Sequence, residues 1–421
     1  MSKTPANLPP PAPPPARISP SRVAAFAVLE RMATTSDHSD DLLHGRRLAG
    51  LSQADRNLAT ALLLGVLRWQ IALDARIQPL LSRPEMELAQ PIRTALRLGA
   101  FQLLHMDRIP AHAALSESVE LVRAAGQTHA AGMVNAILRN LTRQPPAGKP
   151  LFETTAALAQ RLGHPTWLVE RWAKNYGRPA AIAICDYDQQ EPTPGTLFGP
   201  AEGPHLDDGS RLVAELAAAA GPTATRIWDC CAAPGGKTLV LAARHPAADI
   251  LATDVSPSRL KALAGRMERD PSAANVRVAE ADASALPAEA GNFDLILCDV
   301  PCSGTGTLAR NPEIRHHLRP SDLARQADRQ RALLATALSR LAPGGKLLYS
   351  TCSLEPEENE AVVAAVTLPS GIRRLPLDPL LATLQIAADL TPTLRDGFLR
   401  TLPGSNFHGD GFFAALFERQ S

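Results

Sequence analysis

Apolar residues recur at spacings of three and four from Ser19 to about Arg143, in SRVAAFAVLERM, DRNLATALLLGVLRW, PIRTALRLGAFQLLHM, SESVELVRAAG and AAGMVNAILRNL. That period predicts amphipathic helices packed on one another. Ser19-Pro20, Ser52 with Asp55, and Ser116 supply the residue types that mark helix starts. After Gly221 the period changes. TRIWDCCA, ADILATDV, NVRVAEAD, FDLILCDV and GKLLYSTC are short apolar runs, each ending in a loop. Helical stretches separate them, including SPSRLKALAGRMERD and DLARQADRQRALLATALSRLAP. Strand and helix in alternation predict an α/β, doubly wound parallel sheet. FLRTLPG and GFFAALFER flank a turn-rich segment and predict a terminal hairpin that adds one antiparallel strand.

These patterns divide the chain into a proline-rich tail (1–16), an all-α domain (17–145), a linker with a short connecting segment (146–204), and an α/β domain (205–421). LFETTAALAQRLGHPTWLVERWAKNYG adds one or two helices within the connecting segment. Aromatic residues are only 4% against 45% apolar overall, so Ala, Leu and Val must fill the core. The net charge of +1 conceals an asymmetry: residues 1–150 carry 17 Lys and Arg against 11 Asp and Glu, and the remainder 26 against 31. A basic helical domain ahead of a mildly acidic one suits an anionic partner, although an arginine-rich composition would produce the same imbalance. The tail lacks an apolar core of the signal-peptide kind, and no run of about eighteen apolar residues marks a membrane span. A cytoplasmic chain with reduced thiols is the expectation.

Asp229-Cys-Cys-Ala-Ala-Pro-Gly-Gly-Lys-Thr238 follows the first strand and opens a helix. Gly235 and Gly236 let the backbone approach a ligand, and the helix amino terminus favours a negative group. Neither G-x-G-x-x-G nor the Walker pattern is present, which argues against hydride transfer and nucleotide hydrolysis. Acidic residues end the next strands: Asp254 suits ribose hydroxyls, Asp282 an adenine amino group, and Asp299 a methionine-like ammonium. Acceptors in that order fit S-adenosylmethionine, a cofactor with one adenosine, a zwitterionic tail and no pyrophosphate. Each aspartate could also simply cap the helix that follows.

Asp299-Val-Pro-Cys302-Ser-Gly-Thr-Gly306 ends the fourth strand and Tyr349-Ser-Thr-Cys352-Ser-Leu354 the fifth. Adjacent parallel strands put their carboxyl ends side by side, so both sulfurs should face one cleft. Cysteine attacks well as a thiolate and leaves well, which suits reversible addition to carbon 6 of a cytosine to activate carbon 5. A single strand-end cysteine would more often be a small buried hydrophobe, whereas two in adjacent Gly/Ser-rich turns favour chemistry. The spacing does not fit a zinc site, and no metal is expected. Spacing does not rank the two thiols.

The strings DCCAAPGGKT, TDVSPSR, DVPCSGTGTLARNPEIR, LAPGGKLLYSTCSLEPEENEAVV and DGFFAALFER, in this order, resemble the RNA cytosine-C5 methyltransferases of the Sun/RsmB and nucleolar type. Residues 19–143 resemble the NusB-like RNA-binding domain of the bacterial members, and HPTWLVERWAKNYG the segment that follows it. The resemblance implies a Rossmann-like class I S-adenosylmethionine-dependent methyltransferase domain behind a NusB-like one, acting on small-subunit ribosomal RNA. It implies that Cys231, Ala232, Ala233, Pro234, Gly235, Gly236 and Lys237 hold the cofactor with Asp254, Asp282 and Asp299. It also implies that Cys352 is the nucleophile, that Cys302 assists product release, and that Lys237 and Asp299 orient the base or the methionine moiety.

One departure concerns RNA binding. The small RRM-like subdomain usual before the glycine loop has no room here, and its P-x-x-L-R-V-N start reads Leu197-Phe198-Gly199-Pro200. Residues 309–331 are rich in arginine, and Arg310 and Arg315, next to the Cys302 loop, are the expected phosphate contacts. The other readings are a methyltransferase for tRNA, another RNA or DNA, and an RNA-binding ribosome assembly factor whose catalysis has decayed. The chain is expected to act as a monomer.

Overall fold

A computed structural model describes residues 18–35, 39–43, 45–144, 153–199, 206–386 and 388–421. The proline-rich tail, most of the linker and Pro200 lie outside the described residues. The chain divides into two compact units, Met1–Glu153 and Thr154–Ser421.

The first unit is helical, with its long helices at Pro20–Met32, Gln53–Ile77, Gln90–His105, Ala111–Ala124 and Ala131–Leu141. Ser52 caps the second by accepting the Asp55 amide at 3.1 Å, as its sequence position predicts. Ser116 is not a helix start. It lies inside Ala111–Ala124, its hydroxyl donating to the Ala113 carbonyl at 3.3 Å, and Pro110 precedes that helix. Val28, Leu62, Leu63, Val66, Leu96, Leu98, Val134 and Leu138 form one core. By length and composition alone Gln53–Leu80 could cross a membrane. Leu62, Leu63 and Val66 of that helix are spent inside this core. A buried guanidinium pins the layers together: Arg22 donates to Gln102 Oε1 at 2.6 Å and to Glu117 Oε1 at 2.9 Å.

The second unit is built on one sheet. Its strands are β1 (Arg226–Asp229), β2 (Asp249–Asp254), β3 (Val276–Glu280), β4 (Phe293–Asp299), β5 (Leu341–Thr351), β6 (Ile372–Leu375), β7 (Leu394–Arg395), β8 (Phe398–Arg400) and β9 (Phe413–Arg419). Their order is β3-β2-β1-β4-β5-β9-β8-β7, with β6 also paired to β9. The first five are parallel, as the strand–helix alternation predicts. The terminal pairing is more extensive than one added strand. β9 runs antiparallel to β5, β6 and β8, so its backbone amides and carbonyls find partners on both edges.

Successive side chains point to opposite faces of a strand. Ile227, Leu295, Leu297 and Leu348 therefore share one core with Leu212, Leu216 and Leu241. Trp228, Ile296, Cys298, Leu347 and Tyr349 share the other with Leu334 and Leu338. The direction of chain progression reverses between β1 and β4, and in such sheets the crevice at that switch point takes the ligand.

Within the connecting segment, residues 154–188 carry one helix more than the upper expectation of two. They form three helices, Thr155–Arg161, Thr166–Tyr176 and Arg178–Asp188. Leu158, Leu168, Trp172 and Ile184 bury their apolar faces against Leu308, Leu354 and Leu402 of the sheet unit.

Candidate active site

The loop after β1 is pinned by its neighbours on every side. Ala232 donates its amide to the Thr253 carbonyl of β2 at 2.8 Å, and Gly235 to the Ala232 carbonyl at 2.7 Å. Arg259 donates to the Ala233 carbonyl at 2.8 Å and lies 3.5 Å from Asp254 Oδ2, tying the end of β2 to the loop. Gly235 has φ 97°, a left-handed conformation that side chains with a Cβ adopt only with strain. A Cβ there would lie 2.5 Å from Leu263 Cδ1, and one on Gly236 2.4 Å from Leu206 Cδ2. The room these glycines leave is thus filled by protein side chains, which differs from the expectation of space kept for a ligand.

A small cleft opens on this loop, lined by Leu206, Ser210, Asp229, Cys231 to Pro234, Gly236, Lys237 and Asp299. Asp229, the last residue of β1, is buried and accepts the Thr238 hydroxyl at 2.8 Å. Burial pushes its carboxyl up to about 7, with Asp299 adding to the effect. Asp299 ends β4, accepts the Ser350 hydroxyl at 2.7 Å and pairs with Lys237 Nζ at 2.8 Å. Burial disfavours the Lys237 charge, but Asp299 more than offsets it and the ammonium pKa is raised. Its Nζ also sits 5.2 Å from the Phe412 ring centre.

Asp254 is buried at the end of β2, one carboxylate oxygen accepting the Ser256 amide at 3.0 Å. Asp282 is exposed beyond β3, at the sheet edge. Its Oδ1 accepts the Ser284 hydroxyl at 2.7 Å and amide at 2.9 Å, and these bonds hold its carboxyl below the ordinary range. It visibly caps the turn that follows, as the capping alternative predicted. Buried and half-buried carboxylates at neighbouring strand ends, beside a helix amino terminus, fit S-adenosylmethionine by the chemistry of the donor set.

Next to this cleft, Cys302 Sγ and Cys352 Sγ lie 3.4 Å apart, both partly exposed. The loops that carry them interlock. Gly306 donates to the Cys352 carbonyl at 2.9 Å, Gly411 to the Gly306 carbonyl at 2.7 Å, and Leu354 to Thr305 Oγ1 at 2.9 Å. The hydrogen bond to Cys352 and burial, with the charge of Glu358, push the Cys302 thiol well up. A thiolate at Cys352 would favour the Lys237 ammonium, so cleft and thiol pair are electrostatically joined.

The helix Thr166–Tyr176 braces the chain after Cys352. Arg171 donates to Glu355 at 2.8 Å and Glu357 at 2.6 Å, Trp172 Nε1 to Glu355 at 3.1 Å, and the Tyr176 hydroxyl to the Leu354 carbonyl. Sequence reasoning missed Leu206, Ser210, Phe412 and Glu358. Two of them lie in strings that carry the family resemblance: Glu358 in LEPEENE directly behind Cys352, and Phe412 in DGFFAALFER.

The two expected RNA contacts separate. Arg315 is 2% exposed and donates to the carbonyls of Gly163 at 3.1 Å, Leu308 at 3.3 Å and Asp188 at 3.4 Å. It is an internal clamp between the Cys302 loop and the preceding helices, so its assignment as a phosphate contact is withdrawn. Arg310 is at the surface but paired with Asp410 at 3.0 Å.

Residues 218–418 match the family described as 16S rRNA methyltransferase RsmB/F, and residues 19–143 match the NusB family. Among curated proteins, the chain is 32% identical to ribosomal RNA small subunit methyltransferase B of Salmonella arizonae, over 87% of this chain and 91% of that one. It is 30% identical to the probable small subunit methyltransferase B of Bacillus subtilis, over 86% and 90%. Identity to the Xanthomonas campestris protein of the same name is 34%, over 76% and 81%. The solved structure of PH0851 shares the fold, with a TM-score of 0.70 at 22% identity, covering 96% of this chain and all of that one. With family models matching both units and relatives at 30–32% identity over 86–87% of its length, the chain belongs to the RsmB family of S-adenosylmethionine-dependent 16S ribosomal RNA methyltransferases.

Proposed function

We propose that this enzyme methylates carbon 5 of a cytosine in 16S ribosomal RNA through a covalent bond from Cys352 to carbon 6. The observation that carries the reading is the pair of thiols 3.4 Å apart beside the Lys237–Asp299 pair, at the carboxyl ends of adjacent strands. Cys352, as thiolate, adds to carbon 6, and the ring electrons make carbon 5 nucleophilic. S-adenosylmethionine, when bound, supplies the electrophilic methyl group. Cys231 to Lys237, with Asp254 and Asp299, would hold it, and Asp282 would reach its adenine. Lys237 and Asp299 orient the base or the amino-acid end of the cofactor. Release needs a base to take the carbon 5 proton, so that the double bond reforms and the sulfur departs with its electron pair. Cys302, in contact with Cys352, is assigned to assist that release. Arg310 would meet RNA phosphate at the rim. A cytosine in paired RNA must leave its stack to reach the thiol, so unpaired targets are favoured.

The test is the thiol pair itself. Cys352→Ala is expected to abolish transfer of labelled methyl to undermethylated ribosomal RNA. Cys302→Ala should accumulate a denaturation-resistant protein–RNA adduct, since addition proceeds and release stalls. An adduct that forms equally well without Cys352 would reverse the roles, and methylation at a position other than carbon 5 would sink the reading.

A further inference from the structure

Glu358 lies six residues beyond Cys352 and is fully buried. Its carboxylate faces four hydrogen-bond donors. Oε1 accepts the Ser303 amide at 2.8 Å and Gln330 Nε2 at 3.0 Å, and Oε2 accepts the hydroxyls of Ser303 and Ser353. Ser303 directly follows Cys302, and Ser353 directly follows Cys352. Gln330 also donates to the carbonyl of Pro301, the residue before Cys302, at 2.9 Å. The next residue, Asn359, donates to the Ser353 carbonyl at 2.8 Å. One carboxylate therefore bonds the chain next to both sulfurs. Stability alone is a poor reason for this arrangement, because a well-packed apolar group of the same volume commonly does as well as a buried charge. A nucleophile and its partner must be held to within about 0.5 Å, and shared hydrogen bonds from behind do this well.

We propose that Glu358 is a positioning residue for the thiol pair, its carboxylate holding the Cys302 and Cys352 loops in the register that brings the sulfurs to 3.4 Å. The catalytic consequence rests on the covalent reading above; the geometric consequence does not. Glu358 is bonded to neither sulfur and acts through Ser303, Ser353 and Gln330. Its negative charge also contributes to the raised Cys302 thiol, after the bond to Cys352 and burial.

The experiment uses the full chain with Glu358→Ala, Glu358→Asp and Glu358→Gln. Asp keeps the charge but withdraws the oxygens by one methylene, so it tests the reach of the tie in a variant expected to fold even if Ala does not. Gln keeps an acceptor for the Ser303 amide and offers donors to the hydroxyls. The first readout needs no substrate: diamide oxidises the two thiols to a disulfide, and mass spectrometry follows the Cys302–Cys352 link. Its formation should slow about tenfold in Ala and Asp, with unchanged circular dichroism, and recover in Gln. The second is steady-state methyl transfer, where kcat should fall about 100-fold with KM for RNA and cofactor within threefold. A residue that merely supports the fold would not split kcat from KM. Cross-linking at the wild-type rate in both Ala and Asp overturns the proposal. Slowed cross-linking in a protein whose wild type leaves carbon 5 unmethylated keeps the tie and refutes the covalent reading instead.

Discussion

Lys237 Nζ stands 2.8 Å from Asp299 Oδ2, which joins the first residues of the helix after β1 to the end of β4. Each residue lines the cleft on the glycine loop, and each adjoins the thiol pair through its own neighbours. Replacing Lys237 with Met keeps the side-chain length and leaves Asp299 without its cation. Methyl transfer should fall about 100-fold or more, as when one preorganised charge is removed from an active site. A loss under threefold would show the pair to be dispensable.

Asp254 is the one buried carboxylate at the end of β2, and Arg259 holds it against the glycine loop. Asp254→Ala should weaken S-adenosylmethionine binding by about 1–3 kcal/mol for the charged hydrogen bonds lost. Calorimetric titration measures it, and an unshifted isotherm removes Asp254 from the cofactor site.

Asp229 makes the second unit pH-sensitive. Burial raises its carboxyl from 3.8 to about 7 in the folded chain, so the folded state keeps a proton that the unfolded state releases. Its contribution to stability is present below pH 4 and is lost as pH rises toward 7, on the order of 2–4 kcal/mol across that window. Asp229→Asn keeps an acceptor for Thr238 and should flatten this part of the profile. Thermal unfolding of the cofactor-free protein at pH 5, 6, 7 and 8 measures the slope; an unchanged slope in the variant contradicts the assignment.

The two arginines beside the Cys302 loop should differ in their effect on RNA binding. Arg315→Ala leaves three buried carbonyls without their donor and should cost about 2–4 kcal/mol of stability, read by denaturant unfolding. Arg310→Ala strips the buried Asp410 carboxylate of its cation and should also cost stability, by about 1–3 kcal/mol, but it should in addition reduce the salt dependence of RNA binding by about one unit of log–log slope. An unaltered slope would leave Arg310 as a partner of Asp410 only.

Gly235→Ala combines a strained φ with a Cβ 2.5 Å from Leu263. The second unit should lose about 1–3 kcal/mol, and cofactor affinity should fall with the displaced loop. Wild-type affinity in a stable variant would mean that the loop tolerates the shift.

The five parallel strands, their cysteines and their terminal aspartates were legible because each depends on a short local pattern: an apolar run, a break, and a polar residue at the break. Helices after the proline-rich stretch are legible in the sequence, but their short amphipathic faces do not tell what they pack on; only Leu308, Leu354 and Leu402 reveal that. Arg315 was misread for the same reason. An arginine in a basic stretch looks solvated until the three carbonyls that surround it are known. Ser116 has the side chain of a cap but sits mid-helix, since Pro110 had already set the start.

Residue order alone determined the alternation of strand and helix and the chemistry available at each strand end, because both follow from nearest-neighbour periodicity and side-chain type. Tertiary structure alone decided that Cys302 and Cys352 meet at 3.4 Å, that Glu358 bonds the loops of both, and that Gly235 and Gly236 make way for Leu263 and Leu206. Apart from the bond of Glu358 to Ser353, five residues away, those contacts join positions tens of residues apart. They are set by how the loops above β4, β5 and β9 pack, and no local pattern encodes that distance.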